Sequence, residues 1–376
     1  MKPYGVPVIR CNGGEPIVAP TDHWWETGVT FNAAALYLER SPENEPLIRA
    51  LLPGQALEDP ALAEGVVVVH YRARPEEEPG YPFPRSYIGL ALFTPDFRLL
   101  YRSPEPVIVP SPDAGGFDHL GVEDPRITRF GETFYMVYCG LARDAAHTYR
   151  PQLCIATSQD LVHWERQGPM GGDINRTYNK DGVLFPDRVN GLYYLLHRPY
   201  WEGLPQSEFV IHLAVGEALD GQWRDCGEVL RAFPNPHCRA SWVGAGSVPI
   251  PMGGGRYAVL YHTGNYLNDD DREYDLDVAI FDLNRLSPGQ PASAVVTARL
   301  EPLMVPETEA ELRSRSALQV ANVLFACGSY AYRGDIYVVY GGADTYTLAA
   351  RVDKAALWEA LDRADLSNPY LSGTER

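Results

Sequence analysis

Five copies of one strand pattern run through the chain, and this repeat restricts the fold more than any other feature. A strand that ends in an aromatic or apolar residue is followed about 15 to 20 residues later by a second strand centred on alanine. Successive alanines are separated by 65, 58, 65 and 70 residues. A near-constant period of this length predicts a repeat architecture. The aligned alanines are Ala91, Ala156, Ala214, Ala279 and Ala349.

A third strand precedes each pair, as in the segments EDPRITRF and DGVLFPD. Turns of the type found in hairpins, such as Asn190-Gly191 and Arg333-Gly334, join it to its successor. Three recognisable strands in each of five units predict an all-β fold, a five-bladed β-propeller. We expect a fourth, outer strand in each blade that varies too much to align. The alternative is an irregular β-sandwich whose strand spacing is coincidental.

Outside the repeat, one segment reads as a helix. Residues Asp353 to Asp365 begin with a capping Asp and place Leu357 and Leu361 four positions apart. We expect this short C-terminal helix to pack against the outside of the propeller. No linker sets off a second domain, so the sequence predicts a single catalytic propeller domain over residues 1–376.

Composition and charge disfavour several functions. The formal net charge of −17 opposes a sequence-independent grip on nucleic acid. No apolar run is long enough for a membrane span, and the start of the chain lacks the apolar stretch of a secretory signal, so we expect a cytoplasmic protein. Six scattered cysteines and the absence of H-E-x-x-H spacing predict neither disulfides, nor a metal site, nor another bound cofactor. The oligomeric state is left open, a homo-oligomer included.

A propeller brings the inner strands of all its blades to a central channel, where polar residues distant in sequence converge. Carboxylates, cations and imidazoles around such a funnel suit a polyhydroxylated substrate. For the pair Glu123-Asp124 the alternative is a loop that caps backbone amides or pairs with Arg126. The predicted funnel residues are Asn32, Glu123, Asp124, Lys180 and Asp181 on first strands, with Arg72, His197, Arg198, His262 and Asp344 from the strands that follow.

Four ordered segments resemble glycoside hydrolase family 130. They read GVEDPRIT, NKDGVLFPDRVNGLYYLLHRP, GAGSVPI followed by YAVLYH, and ANVLFACG followed by YVVYGGADT. The similarity extends from about Phe31 to Ala350. It implies a five-bladed propeller that cleaves β-mannosides. Most members of the family are inverting phosphorylases that yield α-mannose 1-phosphate, with inorganic phosphate as co-substrate, and some are hydrolases.

The resemblance also implies catalytic and phosphate-binding roles. Asp124 matches the single catalytic acid of the family, which protonates the glycosidic oxygen through a sugar hydroxyl. Lys180 and His197 match two positions that bind phosphate, and Arg143 is the expected third. We place Arg198 in the same phosphate-binding set. An inverting reaction needs an acid on one face and a nucleophile on the other, and phosphate supplies its own nucleophilic oxygen when several cations hold it.

The expected partner of these residues is a β-mannoside oligosaccharide. By resemblance, Asp344 matches a residue that holds the mannose ring, and Arg85 lies where another sugar or phosphate contact is expected. The other predicted substrate contacts are Asn32, Arg72, Glu123, Asp181 and His262.

The sequence departs from the family pattern in blade two, which keeps the hydrolase alternative open. Gln152 stands where many phosphorylases carry an arginine, and Arg150 lies two residues earlier. A hydrolase needs a carboxylate to activate water. The predicted candidates are Asp181, Glu208 and the acidic segment Asp269 to Glu273.

Two further alternatives keep the fold and change the function. Five-bladed glycosidases of the arabinanase or fructosidase type place a catalytic Asp in the first blade, where this chain has Asn32, and this argues against them. A sugar-binding propeller without catalytic activity is the other alternative.

Overall fold

The computed structural model describes residues 5–54, 59–81, 83–143, 149–268, 271–316 and 319–371. Five small sheets form a five-bladed β-propeller, as the repeat predicts. The N-terminal strand β1 (Val8–Arg10) comes first in the chain but belongs to the last blade. Blade 1 contains β2 (Val29–Glu39), β3 (Gly65–Arg74), β4 (Tyr87–Phe93) and β5 (Leu99–Arg102), and blade 2 contains β6 (Gly121–Phe130), β7 (Thr133–Arg143), β8 (Tyr149–Ser158) and β9 (Glu165–Pro169).

The remaining blades have the same order of strands from the centre outwards, with small additions. Blade 3 contains β10 (Gly171–Gly172), β11 (Tyr178–Leu184), β12 (Tyr193–Tyr200), β13 (Ile211–Gly216) and β14 (Gln222–Leu230). Blade 4 contains β15 (Ala240–Ala245), β16 (Ile250–Gly253), β17 (Arg256–Tyr266), β18 (Arg272–Asp282) and β19 (Val296–Met304). Blade 5 contains β20 (Leu324–Tyr332), β21 (Asp335–Gly342) and β22 (Tyr346–Asp353).

The ring closes through both ends of the described chain. Strand β1 pairs antiparallel with β22, with Ile9 opposite Arg351, and supplies the outer strand of blade 5. At the centre, the inner strand β2 contacts both β6 and β20, and β11 contacts both β6 and β15. The first strand of each blade is therefore the inner one, as predicted, and its end opens towards the axis.

The strand register explains the repeated alanine. In every blade this residue lies on the third strand opposite a central residue of the second, and its small side chain is buried. The register also shows that His197 corresponds to Tyr71 and Tyr138, because these three residues lie opposite a bulge in the inner strand.

In the part of the chain that the structure describes, three short helices accompany the sheets: α1 (Glu45–Leu51), α2 (Glu309–Leu312) and α3 (Lys354–Arg363). Helix α3 is the predicted one. The carboxylate of Asp353 accepts a hydrogen bond from the Ala356 amide at 2.9 Å, and Leu357 and Leu361 are buried against blades 4 and 5. Within the described part of the chain, no helix combines the length and apolarity needed to cross a membrane.

Blade 4 buries three carboxyl groups. Asp275 and Asp277 on β18 are 0% exposed, and Glu301 on β19 is 2% exposed. The hydroxyl of Thr263 donates to Asp277, and Arg299 pairs with Glu301. Burial, followed by the negative charges of Glu301 and Asp275, raises the pKa of Asp277 well above its ordinary value.

Asp277→Asn is therefore expected to change how stability depends on pH. Because the folded protein binds the Asp277 proton more tightly than the unfolded chain, the stability contributed by this group is present below the ordinary Asp pKa of about 4 and is lost as pH rises through the raised pKa. Asn keeps the shape without the charge, so the Tm of the variant relative to wild type should be about 2 °C or more higher at pH 8 than at pH 5. Differential scanning fluorimetry measures this, with the surface variant Asp362→Asn as control. A Tm difference independent of pH would contradict the prediction.

Candidate active site

The same backbone irregularity occurs near the inner ends of blades 1, 2 and 3. A β-bulge interrupts the pairing of β2, β6 and β11 with their neighbours. The bulged residues Asn32, Asp124 and Asp181 adopt left-handed conformations with φ of 47°, 51° and 55°. Such conformations cost about 1–3 kcal/mol in a residue with a side chain and persist where the surroundings enforce them. The bulges bring three polar side chains to the centre of the ring.

Asp124 is held by groups from blade 1. Its Oδ1 accepts hydrogen bonds from Asn32 Nδ2 at 2.9 Å and from Arg72 NH1 at 3.0 Å, and the residue is 5% exposed. Burial alone would raise the pKa of Asp124, but the charges of Arg72, Arg126 and Lys180 and the Asn32 hydrogen bond lower it to about 2. In the unliganded protein this carboxyl group is therefore ionised at neutral pH.

Glu123, the neighbour of Asp124, connects two cations. One of its oxygens pairs with Arg72, and Oε2 lies 3.2 Å from Lys180 Nζ. Burial opposes ionisation, but these two charges outweigh it and lower the pKa of Glu123. Pairing with Arg126, the alternative considered for this acidic pair, is not what Glu123 does. Glu123 instead fixes the positions of Arg72 and Lys180 beside the catalytic candidate.

A second cluster surrounds Asp181. Its carboxylate oxygens lie 3.0 Å from Arg198 Nε, 3.6 Å from Arg126 NH2 and 3.8 Å from His262 Nε2. The guanidinium of Arg198 stacks on Trp242 with its carbon 4.4 Å from the ring centroid. Burial lowers the pKa of His262 to about 3, so its imidazole is neutral at physiological pH. The predicted residues Asp181, Arg198 and His262 therefore lie together in one cluster.

Asp344 and one residue that sequence reasoning missed complete the ring of charges. Asp344 has φ of 48°, and its Oδ2 accepts a hydrogen bond from the Val320 amide at 3.4 Å. Burial raises its pKa, opposed mainly by the positive charge of Arg72. Arg74, which was not predicted, also acts on Asp344 electrostatically and stacks over Phe31. Strand alternation was the available signal, because Arg74 follows Arg72 by two positions on β3 and shares its face.

Lys180 borders one cleft, and Arg143 lies on β7 beside its wall without lining it. The cleft has a volume of about 370 Å³, and its wall includes Lys180, Tyr149, Tyr200 and Trp201. Glu123 raises the pKa of Lys180 despite burial, so the ammonium stays charged. Exposed Arg143 pairs with Tyr149 in the β7–β8 register, and its charge opposes the burial that raises the pKa of that tyrosine. Of the four residues predicted to bind phosphate, Lys180 is therefore the one that lines this cleft.

The structure does not bring His197 to Lys180. His197 is fully buried on the face of β12 opposite to that of Arg198. Its Nδ1 lies 2.9 Å from Asn179 Nδ2, and its Nε2 lies 3.6 Å from Asp225 Oδ1. This placement does not support the phosphate-binding role that the resemblance implies for His197.

Arg85 and Gln152 are engaged in local contacts. Arg85 donates to Glu78 Oε1 from Nε at 2.8 Å and from NH2 at 2.6 Å, and it stacks over Tyr81 at 4.0 Å. Gln152 Nε2 donates to the Phe117 carbonyl at 2.9 Å. These contacts hold Arg85 within its own loop. Gln152 has no charge with which to attract an anion.

His197 also belongs to a group of potential metal ligands. Within the described residues, the donor atoms of His197, His212 and Asp225 lie within 4.8 Å of one another. Asn179 Oδ1 accepts from the Arg198 amide at 3.1 Å, so Asn179 Nδ2 faces the imidazole and donates to His197 Nδ1. The His197 proton is then on Nε2, the atom a metal would need. A metal-bound histidine donates from its second nitrogen rather than accepting there, so this group does not fit a metal centre.

Known proteins share both the sequence pattern and the fold of this chain. The sequence pattern of glycoside hydrolase family 130, described as beta-1,4-mannooligosaccharide phosphorylase, matches residues 67–363. A 1,2-beta-oligomannan phosphorylase of Thermoanaerobacter sp. (strain X514) is 34% identical over 225 residues, which is 60% of this chain and 66% of that protein, just under two thirds of its length. A beta-1,2-mannobiose phosphorylase of the same organism is 29% identical over 342 residues, or 90% and 95% of the two chains.

A solved structure shows the same fold. The complex of Listeria innocua beta-1,2-mannobiose phosphorylase with beta-1,2-mannobiose has a TM-score of 0.68 at 21% identity, covering 94% of this chain and 99% of that one. The family pattern spans most of the chain and includes Asp124, Lys180 and Asp344. The chain belongs to glycoside hydrolase family 130.

Proposed function

We propose that this protein cleaves β-mannosides by inverting phosphorolysis and releases α-mannose 1-phosphate. The observation that carries the proposal is the buried Asp124, held at the inner end of blade 2 by Asn32 and Arg72, with Lys180 of the neighbouring cleft paired to the adjacent Glu123. The related proteins from Thermoanaerobacter are phosphorylases of β-mannosides and support the same chemistry. In this reaction Asp124 provides the proton that the leaving sugar needs.

The charge balance of the centre supports an anionic co-substrate. Positive side chains outnumber the carboxylates, and burial weakens the ionisation of Asp344 further. A phosphate dianion at Lys180 would share that cation with Glu123, whose Oε2 lies 3.2 Å away, and it carries its own nucleophilic oxygen. The cations are Arg72, Arg74, Arg126, Lys180 and Arg198, and the carboxylates are Glu123, Asp124, Asp181 and Asp344.

Hydrolysis needs a carboxylate free to activate water, and Asp181, Glu208 and Asp271 do not suit that role. Asp181 is 1% exposed and lies between two arginines. Glu208 pairs with Arg231 at 3.0 Å in a different cleft. Asp271 is bound within its own loop, while residues 269–270 lie outside the described part of the chain. These placements favour phosphate over water as the nucleophile.

A single assay tests the proposal. The protein is incubated with β-1,2- or β-1,4-mannobiose, with and without phosphate, and the products are followed by NMR. We expect mannose 1-phosphate only with phosphate and only as the α anomer, which establishes inversion. Free mannose in phosphate-free buffer would favour the hydrolase, and no turnover would favour a sugar-binding propeller. The cytoplasmic location, the single domain and the absence of a cofactor stay predictions.

A further inference from the structure

The guanidinium group of Arg126 is buried among the inner strands of the propeller. Arg126 is 1% exposed, and its nitrogens donate to three main-chain carbonyls: that of Asp124 at 3.0 Å, Ala245 at 3.0 Å and Gly246 at 3.2 Å. Its guanidinium carbon lies 5.5 Å from the centroid of the Phe325 ring. Arg126 therefore links the second, fourth and fifth blades at the axis of the propeller.

One of these carbonyls belongs to the catalytic candidate itself. Asp124 is the bulged residue with φ of 51°, and the bond from Arg126 NH1 to its carbonyl spans the bulge from two residues later. The residue between them, Pro125, has no N–H to contribute. The direction of the Asp124 carboxyl group depends on this strained main chain, so a group that fixes the carbonyl also fixes the carboxyl.

The fold does not require an arginine at this position. Blades 1 and 3 have the same bulge, and the residue two positions after the bulged one is Ala34 in blade 1 and Val183 in blade 3. Both are buried and apolar. Of these three bulges, the one that carries Asp124 is followed by an arginine, Arg126. A left-handed bulge thus forms in this propeller without a guanidinium beneath it.

Arg126 also carries a buried charge whose carboxylate partner is shared with another arginine. Asp181 Oδ1 lies 3.6 Å from Arg126 NH2, while Asp181 Oδ2 lies 3.0 Å from Arg198 Nε. Burying a charge is costly, and an apolar residue in its place is often neutral or stabilising. Arg126 places a charge next to the acid, whereas the matching positions of blades 1 and 3 are the apolar Ala34 and Val183. This difference points to a role in the reaction.

We propose that Arg126 is a positioning residue for proton transfer: it holds the main chain of Asp124 so that the carboxyl group faces the bound sugar, and Asp181 holds Arg126 in turn. The proposal rests on phosphorolysis of β-mannosides as the reaction. It changes the predicted role of Asp181 from a substrate contact to a support of the acid. A misplacement of about 1 Å in such a group costs about 10²-fold in rate.

Arg126→Lys tests the proposal because Lys keeps the charge and cannot reach three carbonyls at once. We expect kcat for phosphorolysis of mannobiose to fall about 10- to 100-fold, with KM for mannobiose and phosphate within about 3-fold of wild type. Arg10→Lys is the matched control, since Arg10 is also poorly exposed and donates to the Val305 carbonyl at 2.7 Å and to Glu311 at 2.9 Å on blade 5. We expect Arg10→Lys to lower Tm and leave kcat unchanged. An Arg126→Lys enzyme with wild-type kcat would overturn the proposal.

Asp181→Asn is the second variant and decides the matter if Arg126→Lys does not fold. Asn preserves the volume at Asp181 and removes the charge that faces Arg126. We expect a fall in kcat with KM for mannobiose unchanged, whereas a rise in that KM alone would make Asp181 a substrate contact and overturn the proposal. Failure of the proposed function is a separate result: wild-type protein would release no mannose 1-phosphate. A crystal structure of either folded variant should show Asp124 with altered φ.

Discussion

Replacing Asp124 with Asn is expected to lower kcat/KM for β-mannobiose phosphorolysis by about 10²- to 10⁴-fold, the range that general acid catalysis supplies. Asn has nearly the shape of Asp and still accepts hydrogen bonds from Asn32 and Arg72, but it has no proton to give. Binding should survive, so calorimetry is expected to show mannobiose bound by the variant with an affinity within about 10-fold of wild type. Loss of activity without loss of binding separates a catalytic acid from a sugar contact.

The low pKa of Asp124 makes a second, stricter expectation. At a pKa of about 2, only about one carboxyl group in 10⁵ is protonated at pH 7, too few for an efficient acid. Substrates must therefore raise it. A phosphate dianion beside Lys180 offsets the positive charge that holds the pKa down, and a mannoside displaces the remaining water, both of which favour the neutral acid.

The pH profile of turnover tests this coupling. With both substrates saturating, kcat reports the pKa values of the complex, and we expect its basic limb to lie several units above 2 and to be absent from the residual activity of Asp124→Asn. Burial by the bound substrates is not enough to raise the pKa of Asp124, because this residue is already buried, with 5% exposed, in the unliganded protein. If Asp124→Asn turned over at the wild-type rate, Asp124 would not be the acid. The surface variant Asp362→Asn controls for the substitution itself.

Much of the site follows from the sequence because a propeller converts chain order into a ring. Once the repeat gives five blades, the inner-strand residues Asn32, Glu123, Asp124 and Lys180 are predicted to converge, and contacts between Asn32 and Asp124 and between Glu123 and Lys180 confirm that they do. Residues 92 positions apart thereby form a hydrogen bond, a result no local pattern gives. Their chemical roles stay predictions.

The placements of His197 and Arg85 away from the predicted site have local causes. His197 and Arg198 are neighbours on β12, so strand alternation sends one to the centre and the other to the opposite face, and the bulge opposite them decides which. The repeat pattern contained no information about that bulge. Arg85 lies in a loop whose shape depends on Glu78 and Tyr81, and loop geometry does not follow from strand periodicity.

The three-residue strand β1 was missed for a related reason. Val8–Arg10 is too short to show an alternating pattern, and it becomes a strand because β22 offers a free edge. Its pairing completes blade 5 from the start of the chain. Closure of the ring thus depends on tertiary contact, and only the number of blades depends on the repeat.

Lys180→Met is the second large effect, and it tests the nucleophile rather than the acid. Lys180 Nζ is the cation nearest the carboxyl pair that also borders the open cleft, 3.2 Å from Glu123 Oε2. Met keeps the length of the side chain and removes the charge. Losing one partner of a buried charged contact costs about 3–5 kcal/mol, so kcat/KM for phosphate should fall about 10²- to 10⁴-fold.

The substrate dependence of this loss identifies its cause. If Lys180 binds phosphate, the KM for phosphate rises while the KM for mannobiose stays within about 3-fold of wild type, and arsenate as an alternative nucleophile is affected in parallel. A rise confined to the mannobiose KM would instead make Lys180 a sugar contact. The chain has only three lysines, and Lys354→Met on helix α3 is the matched control. It should leave both constants unchanged, because Lys354 packs against Trp358 on the outside of the propeller. If the KM for phosphate is unchanged in Lys180→Met, the main support for phosphate binding at this cleft is lost. Hydrolysis would then become the favoured reaction.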